Sequence, residues 1–211
     1  MNKTSYSGLY IDTETGGLDP QVHALTSICA AHFRLFADPA QEIEIEAIYL
    51  PIKPSPALVV SASALQVQNK TLSELQKEGI YERDQLLELS HWLLHEGELH
   101  TLSIWAHNAD FDRGFLTASI RRCKANATYA GMLAGRDARW NCTRYLAEYL
   151  VQKGKLELPR KADGTASVSL DPLMERLGIP GRQGSGHDAR EDVGLGVRVL
   201  DALLRLDGWW K

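Results

Sequence analysis

The alternation of apolar and polar residues divides the chain into strands first and helices afterwards. Gly8-Leu9-Tyr10-Ile11-Asp12 is a short apolar run that predicts a buried strand, ended by a turn at Gly16-Gly17-Leu18-Asp19-Pro20. Residues 24–36 are rich in apolar and β-compatible side chains and predict a second strand. Glu42-Ile43-Glu44-Ile45-Glu46-Ala47-Ile48-Tyr49 begins with strict alternation, the pattern of a strand with one face in water, so Glu42, Glu44 and Glu46 are expected on that solvated face. Three successive strands suggest an antiparallel meander. Beyond the loop holding Pro51, Pro54 and Pro56 the pattern turns helical, over residues 61–66, 71–78 and 84–95. Leu86, Leu87, Leu89, Leu93 and Leu94 lend the last of these an apolar side. Residues 102–106 predict a fourth strand, and further helices are expected over 111–122, 143–152, 171–177 and 188–206. Residues 153–169 hold few large apolar side chains and are expected to form a mobile loop or hairpin. No repeat or linker divides the chain, so residues 1–211 are expected to form a single α/β domain around a mixed sheet.

Composition narrows the class without naming a function. Hydrophobic residues at 44% and charged residues at 24% are ordinary for a globular protein and argue against disorder and fibres. The longest apolar runs are too short for a membrane-spanning helix. The first six residues lack the apolar core of a signal peptide. Cys29, Cys123 and Cys142 are odd in number and lack CxxC spacing, which suggests neither a disulfide framework nor a zinc site. These features together point to the cytoplasm and to no membrane partner.

Three short motifs carry candidate chemistry. In Asp12-Thr13-Glu14 the two acids are two residues apart on a strand and so share a face. Such a pair repels itself unless a cation lies between, and hard divalent ions prefer oxygen ligands. Taken alone, the pair also suits a solvated turn. His107-Asn108-Ala109-Asp110-Phe111-Asp112 falls where a strand passes into a helix, the place where open α/β sheets put their ligands. Asp110 and Asp112 stand ~200° apart on a helix, so one of them should face solvent or cap the helix. Phe111 and Phe115, four residues apart, read as core anchors. In Gly186-His187-Asp188-Ala189-Arg190-Glu191-Asp192 the Asp188/Glu191 spacing resembles a capping box. That register would leave His187 just outside a helix and Asp192 one turn inside it. A histidine there is suited to take a proton from water near neutral pH.

In order and wording, Asp12-Thr13-Glu14-Thr15-Gly16, His107-Asn108-x-x-Phe111-Asp112 and His187-x-Ala189-x-x-Asp192 resemble the DEDDh branch of the DnaQ-like 3′→5′ exonucleases. Relatives of that family include the proofreading subunit of the bacterial replicative polymerase, ribonuclease T, oligoribonuclease and the three-prime repair exonucleases. The resemblance runs from residue 8 to about residue 200. It implies a ribonuclease-H-like mixed five-stranded sheet flanked by helices, with a fifth strand between residues 127 and 140.

The resemblance also implies roles. Asp12, Glu14, Asp112 and Asp192 match the carboxylates that hold two divalent cations, Mg²⁺ or Mn²⁺, and His187 matches the base that deprotonates the attacking water. The cation pair lowers the pKa of that water and stabilises the leaving 3′ oxygen. Thr15, Gly16, Leu18, Leu65 and Asn108 fall where the family contacts substrate, with Thr15 and Gly16 offering backbone N–H groups and Leu18 a wedge against the terminal base. Lys155, Arg160, Lys161 and Arg182 are candidate phosphate contacts. The net charge of −4 is no obstacle, because four of the 27 acids are the proposed ligands and two divalent cations would bring four positive charges. The expected reaction is release of nucleoside 5′-monophosphates from nucleic-acid 3′ ends, with single-stranded DNA ahead of RNA. The alternatives are an exoribonuclease that trims RNA tails or short oligoribonucleotides, and a non-catalytic nucleic-acid-binding subunit. A homodimer and a polymerase or other replication or repair partner are left open. Many polymerase-associated relatives carry His-Gly-Ile where this chain has Gln68-Asn69-Lys70.

Overall fold

In a computed structural model, which describes residues 4–95, 103–135, 138–183 and 186–210, the strands of the predicted meander run longer than their apolar cores. β1 (Ser5–Thr15), β2 (Leu25–Phe36) and β3 (Glu44–Lys53) are antiparallel neighbours. A crossover through α1 (Ala62–Gln68), α2 (Leu72–Glu78) and α3 (Glu82–His95) leads to β5 (Ser103–Ala106), which pairs parallel to β1 on the other side. Leu102, the first residue of the predicted fourth strand, lies outside the described residues.

Among the described residues the sheet has six strands, one more than expected, in the order β4 (Ile80–Tyr81), β3, β2, β1, β5 and β6 (Trp140–Cys142). The addition is β4, a two-residue strand pairing parallel to Ile52 and Lys53 of β3. Its two side chains, Ile80 and Tyr81, are exposed, and two residues are too few for a period to show in the sequence. The strand expected between residues 127 and 140 is displaced. α5 (Tyr129–Met132) occupies part of that segment, and β6 is Trp140–Cys142, paired parallel to Ile104–Ala106 of β5.

Alternation along β1 sets the architecture. Leu9 and Ile11 face one layer, where they pack with α3 and α4 (Ala109–Arg122) through Leu86, Leu89, Leu93, Phe115 and Leu116. Tyr10 faces the opposite layer, against Val193, Val197 and Leu200 of α8 (Ala189–Asp207). Gly196 permits this contact, since a Cβ there would run into the Tyr10 ring. On α3 the buried leucines are 86, 89 and 93, while Leu87 and Leu94 are exposed. Glu42, Glu44 and Glu46 are exposed as expected, but Ile45 and Ala47 between them are exposed too, so the sequence alternation is not matched by a buried face at this end of β3.

α6 (Thr143–Gln152) and α7 (Leu170–Leu177) close a third apolar cluster against α8. Of the mobile loop or hairpin expected over residues 153–169, the intervening segment takes the hairpin form. Leu156 and Val168 are buried in this cluster, and Arg160 and Ala166 form an antiparallel bridge between them. Two well-placed anchors suffice to dock a polar segment.

Candidate active site

β1 ends between two helix N-termini, one on each face of the sheet. Asp12 and Glu14 project on the Tyr10 side, toward the start of α8. Thr13 projects the other way, and its hydroxyl donates to Asp112 Oδ1 at 2.8 Å in the first turn of α4. Asp112 and Asp192 are each the fourth residue of their helix and each about 95% buried, with relative exposures of 3% and 5%. The positive end of a helix favours a carboxylate at that depth. A single cavity of about 450 Å³ is lined by all four acids and by His187.

The acids crowd one another. Burial and then repulsion from Asp112, Glu14 and Asp192 hold the Asp12 carboxyl well above the usual range. Burial and the charge of Asp192 push Glu14 up to about 7, although His187 opposes the shift. Burial pushes Asp112 to about 7 despite its bond from Thr13. Asp192 behaves differently: burial works to raise it, yet hydrogen bonds from His187 and Arg182 outweigh burial and hold it below its ordinary value. Ligand atoms of Glu14, His187 and Asp192 all lie within 4.8 Å of one another. Four acids gathered in one cavity, three of them with pKa values raised first of all by burial, form an oxygen-rich donor set that fits hard divalent cations.

His187 stands just before α8, half exposed, with Nδ1 3.3 Å from Asp192 Oδ2. The capping box does not form. Asp188 caps α8 by accepting from the Arg190 N–H, but Glu191 turns instead to the Gln183 N–H at 2.5 Å. Residues 184 and 185 of the glycine-rich stretch before His187 lie outside the described residues. In the second motif Asp110 is exposed and accepts from the Tyr145 hydroxyl at 2.8 Å, so the helical wheel separated the two acids correctly. Phe115 is buried, while Phe111 is half-buried and also lines the cavity.

The predicted substrate contacts fare unevenly. Thr15 and Leu18 line the cavity, and Leu18 is 84% exposed at the tip of the turn after β1. Asn108 lines it as well and is the N-cap residue of α4, without a capping bond from its side chain. The N–H of Gly16 is not free for a ligand, because it donates to the Ala24 carbonyl at 2.7 Å. Gly16 serves instead to let this turn meet the backbone of Val59 and Val60, which a Cβ would overlap. Leu65 does not line the cavity; Ala64, Val67 and Gln68 of α1 do. Of the four candidate phosphate contacts only Arg182 reaches the cavity, while Lys155 binds Asp207 and Arg160 binds the Gly164 carbonyl.

Several residues named in the sequence shape the site in ways their motifs do not reveal. Thr13 is the spacer of its motif, and strand alternation puts it on the α4 side. Gln68 is buried beneath the turn, donating to the Thr15 carbonyl at 2.8 Å and accepting from Thr26 at 3.0 Å. His107 is hydrogen-bonded through Nδ1 to Thr143 at 3.1 Å, and burial lowers its pKa to about 4, so it stays neutral. Arg182 grips Asp192 with two nitrogens, Nε to Oδ1 at 2.6 Å and Nη2 to Oδ2 at 3.0 Å, and reaches Asp171 with Nη1.

No family model matches the chain, and no curated protein does so at the sequence level. Solved structures do. Exonuclease I with bound product superposes at a TM-score of 0.73 with 18% identity, over 97% of this chain and 44% of that one. The enzyme from Methylocaldum szegediense gives 0.71 and 19%, over 94% and 40%. E. coli exonuclease I in complex with a 5cy-dA13 oligonucleotide gives 0.71 and 20%, over 96% and 42%. The chain thus spans less than half the length of these structures, and across that span it has the fold of exonuclease I, in agreement with the ribonuclease-H-like expectation.

Proposed function

We propose that the chain is a divalent-cation-dependent 3′→5′ exonuclease of the DnaQ-like DEDDh type that releases nucleoside 5′-monophosphates from single-stranded DNA. The observation that carries this reading is the meeting of Asp12, Glu14, Asp112, Asp192 and His187 in one cavity at the end of β1. The four carboxylates would hold the cations, Mg²⁺ or Mn²⁺, and His187 is the base. When bound, the cations supply neutralisation of the negative charge that builds up on the phosphodiester during cleavage.

The remaining chemistry belongs to the chain. His187 keeps Nδ1 toward Asp192, which leaves Nε2 to accept a proton from the attacking water. Thr13 orients Asp112 from behind, fixing one carboxylate oxygen so that the group meets substrate in a set pose. Gln68 ties the Thr15 carbonyl to α1, holding the turn that presents Leu18 to a terminal base. Residues 1–211 act here as one nuclease domain. The preference for DNA rests on the likeness to exonuclease I, one of whose structures holds a dA13 oligonucleotide. A second copy or a polymerase as partner has no observation in its favour. Among the described residues no helix is long and apolar enough to cross a membrane.

A time course tests the reading directly. Matched 5′-labelled DNA and RNA oligonucleotides, with Mg²⁺ or with EDTA, are incubated with the protein and with Asp12→Ala. The expected result is a ladder shrinking from the 3′ end of DNA, dependent on cation and absent in the variant. Faster loss of RNA would reassign the substrate class. No cleavage of either by folded, cation-supplied protein would overturn the enzyme reading in favour of a binding module.

A further inference from the structure

Asp192 offers two oxygens, and this chain already engages both. Arg182 takes Oδ1 through Nε and Oδ2 through Nη2, and His187 approaches Oδ2 as well. Such a two-pronged contact is the strongest form of carboxylate pairing. The Arg182 side chain is only 11% exposed, so the pair sits largely out of water. A cation seated on Asp192 must therefore displace the guanidinium, and like charges would drive the two apart even if one oxygen were spared. A destination is built in. The third prong, Nη1, already holds Asp171, whose side chain is 66% exposed and well clear of the other carboxylates' burial. Arg182 and Asp171 also line both the catalytic cavity and a neighbouring hollow of about 560 Å³, which gives the side chain room to turn. The backbone beside it stays fixed through the Gln183 N–H on Glu191.

We propose that Arg182 is an internal counter-ion that competes with the catalytic cation for Asp192 and withdraws onto Asp171 when the cation binds. It is a positioning residue: it sets how readily the site loads rather than reacting with substrate. The competition rests on the cation reading of the preceding subsection, but it concerns binding and not turnover.

The test is Mn²⁺ binding without substrate, read from the free-ion resonance in electron paramagnetic resonance, on the wild-type chain, Arg182→Gln, Asp171→Asn and the double variant, each checked for folding by circular dichroism. Removing the competitor should tighten Mn²⁺ binding by about 10-fold or more, in the range that outer partners of metal ligands control. Asp171→Asn should weaken binding, because it takes away the refuge of Arg182, and that weakening should largely vanish in the double variant. Unchanged or weaker binding in Arg182→Gln would overturn the competition, as would a loss from Asp171→Asn that persists undiminished in the double variant. If Arg182→Gln does not fold, unaltered affinity in Asp171→Asn alone would overturn it. Absence of Mn²⁺ binding by every form would instead bring down the cation reading, and this inference with it.

Discussion

The N-termini of α4 and α8 look alike in isolation and behave oppositely in the fold. Each carries an aspartate as its fourth residue, buried at the end of β1. Asp112 meets a neutral hydroxyl from Thr13, and burial pushes it up to about 7. Asp192 meets Arg182 and His187, and their hydrogen bonds hold it below its ordinary value in spite of burial. Helix position supplies the same favourable field to both, so the difference comes from the neighbours that the other elements bring. One site thereby contains a carboxylate that keeps its proton to neutral pH and one that stays ionised well below it.

The comparison can be broken most severely at the acids themselves. Asp112→Asn should lower exonuclease turnover by ~10³-fold or more, since several kcal/mol of transition-state stabilisation go with a displaced cation. In EDTA the same variant should melt higher than wild type above neutral pH, whereas Asp192→Asn should melt lower because it removes the buried two-pronged partner of Arg182. Equal melting shifts would remove the contrast. The sign follows from linkage. Asp112 and Glu14 bind their protons more tightly folded than unfolded, so stability falls as pH rises from their ordinary values, 3.8 and 4.5, to about 7. Thermal melts across that range in EDTA should show this decline, and Mg²⁺ should reverse it.

His187→Ala should cost ~10²- to 10⁴-fold in turnover while Mn²⁺ binding survives. Near-normal turnover at neutral pH would remove the histidine from its role. Thr13→Val, which deletes only the hydroxyl aimed at Asp112, should reduce turnover or cation affinity by about 10-fold. An unaltered Thr13→Val enzyme would mean that burial alone fixes Asp112. Asp110→Asn should be the mildest, within about twofold of wild type, because Asp110 lies on the surface against Tyr145. A larger loss there than in Asp112→Asn would exchange the two acids' roles.

Much of this was legible in the chain. Strand periodicity put Asp12 and Glu14 on one face, and the helical step separated Asp110 from Asp112. α6 was bounded correctly at both ends, Thr143 and Gln152. Local pattern failed where an element is short, as with the two exposed residues of β4 and the three-residue β6. The Asp188/Glu191 spacing misled because Glu191 found a tertiary partner in Gln183 that outcompeted the local cap. Leu65 stands outside the cavity lining, and the Gly16 N–H is already bonded to Ala24, for a similar reason. The orientation of α1 and the pairing of the turn with Ala24 are set by contacts far away in the sequence.

The sequence by itself determined the order of elements and the faces of β1, because strand and helix periods depend only on neighbours along the chain, and its motifs named the five candidate chemical groups through their resemblance to the DEDDh exonucleases. Tertiary structure alone decided which charges surround each group. Arg182 lies ten residues from Asp192 and Thr13 lies 99 residues from Asp112; the folding-back of the segment before α8 makes the first pair, and packing of α4 on β1 makes the second. Ionisation follows distance and burial, and neither is written in the spacing of a motif.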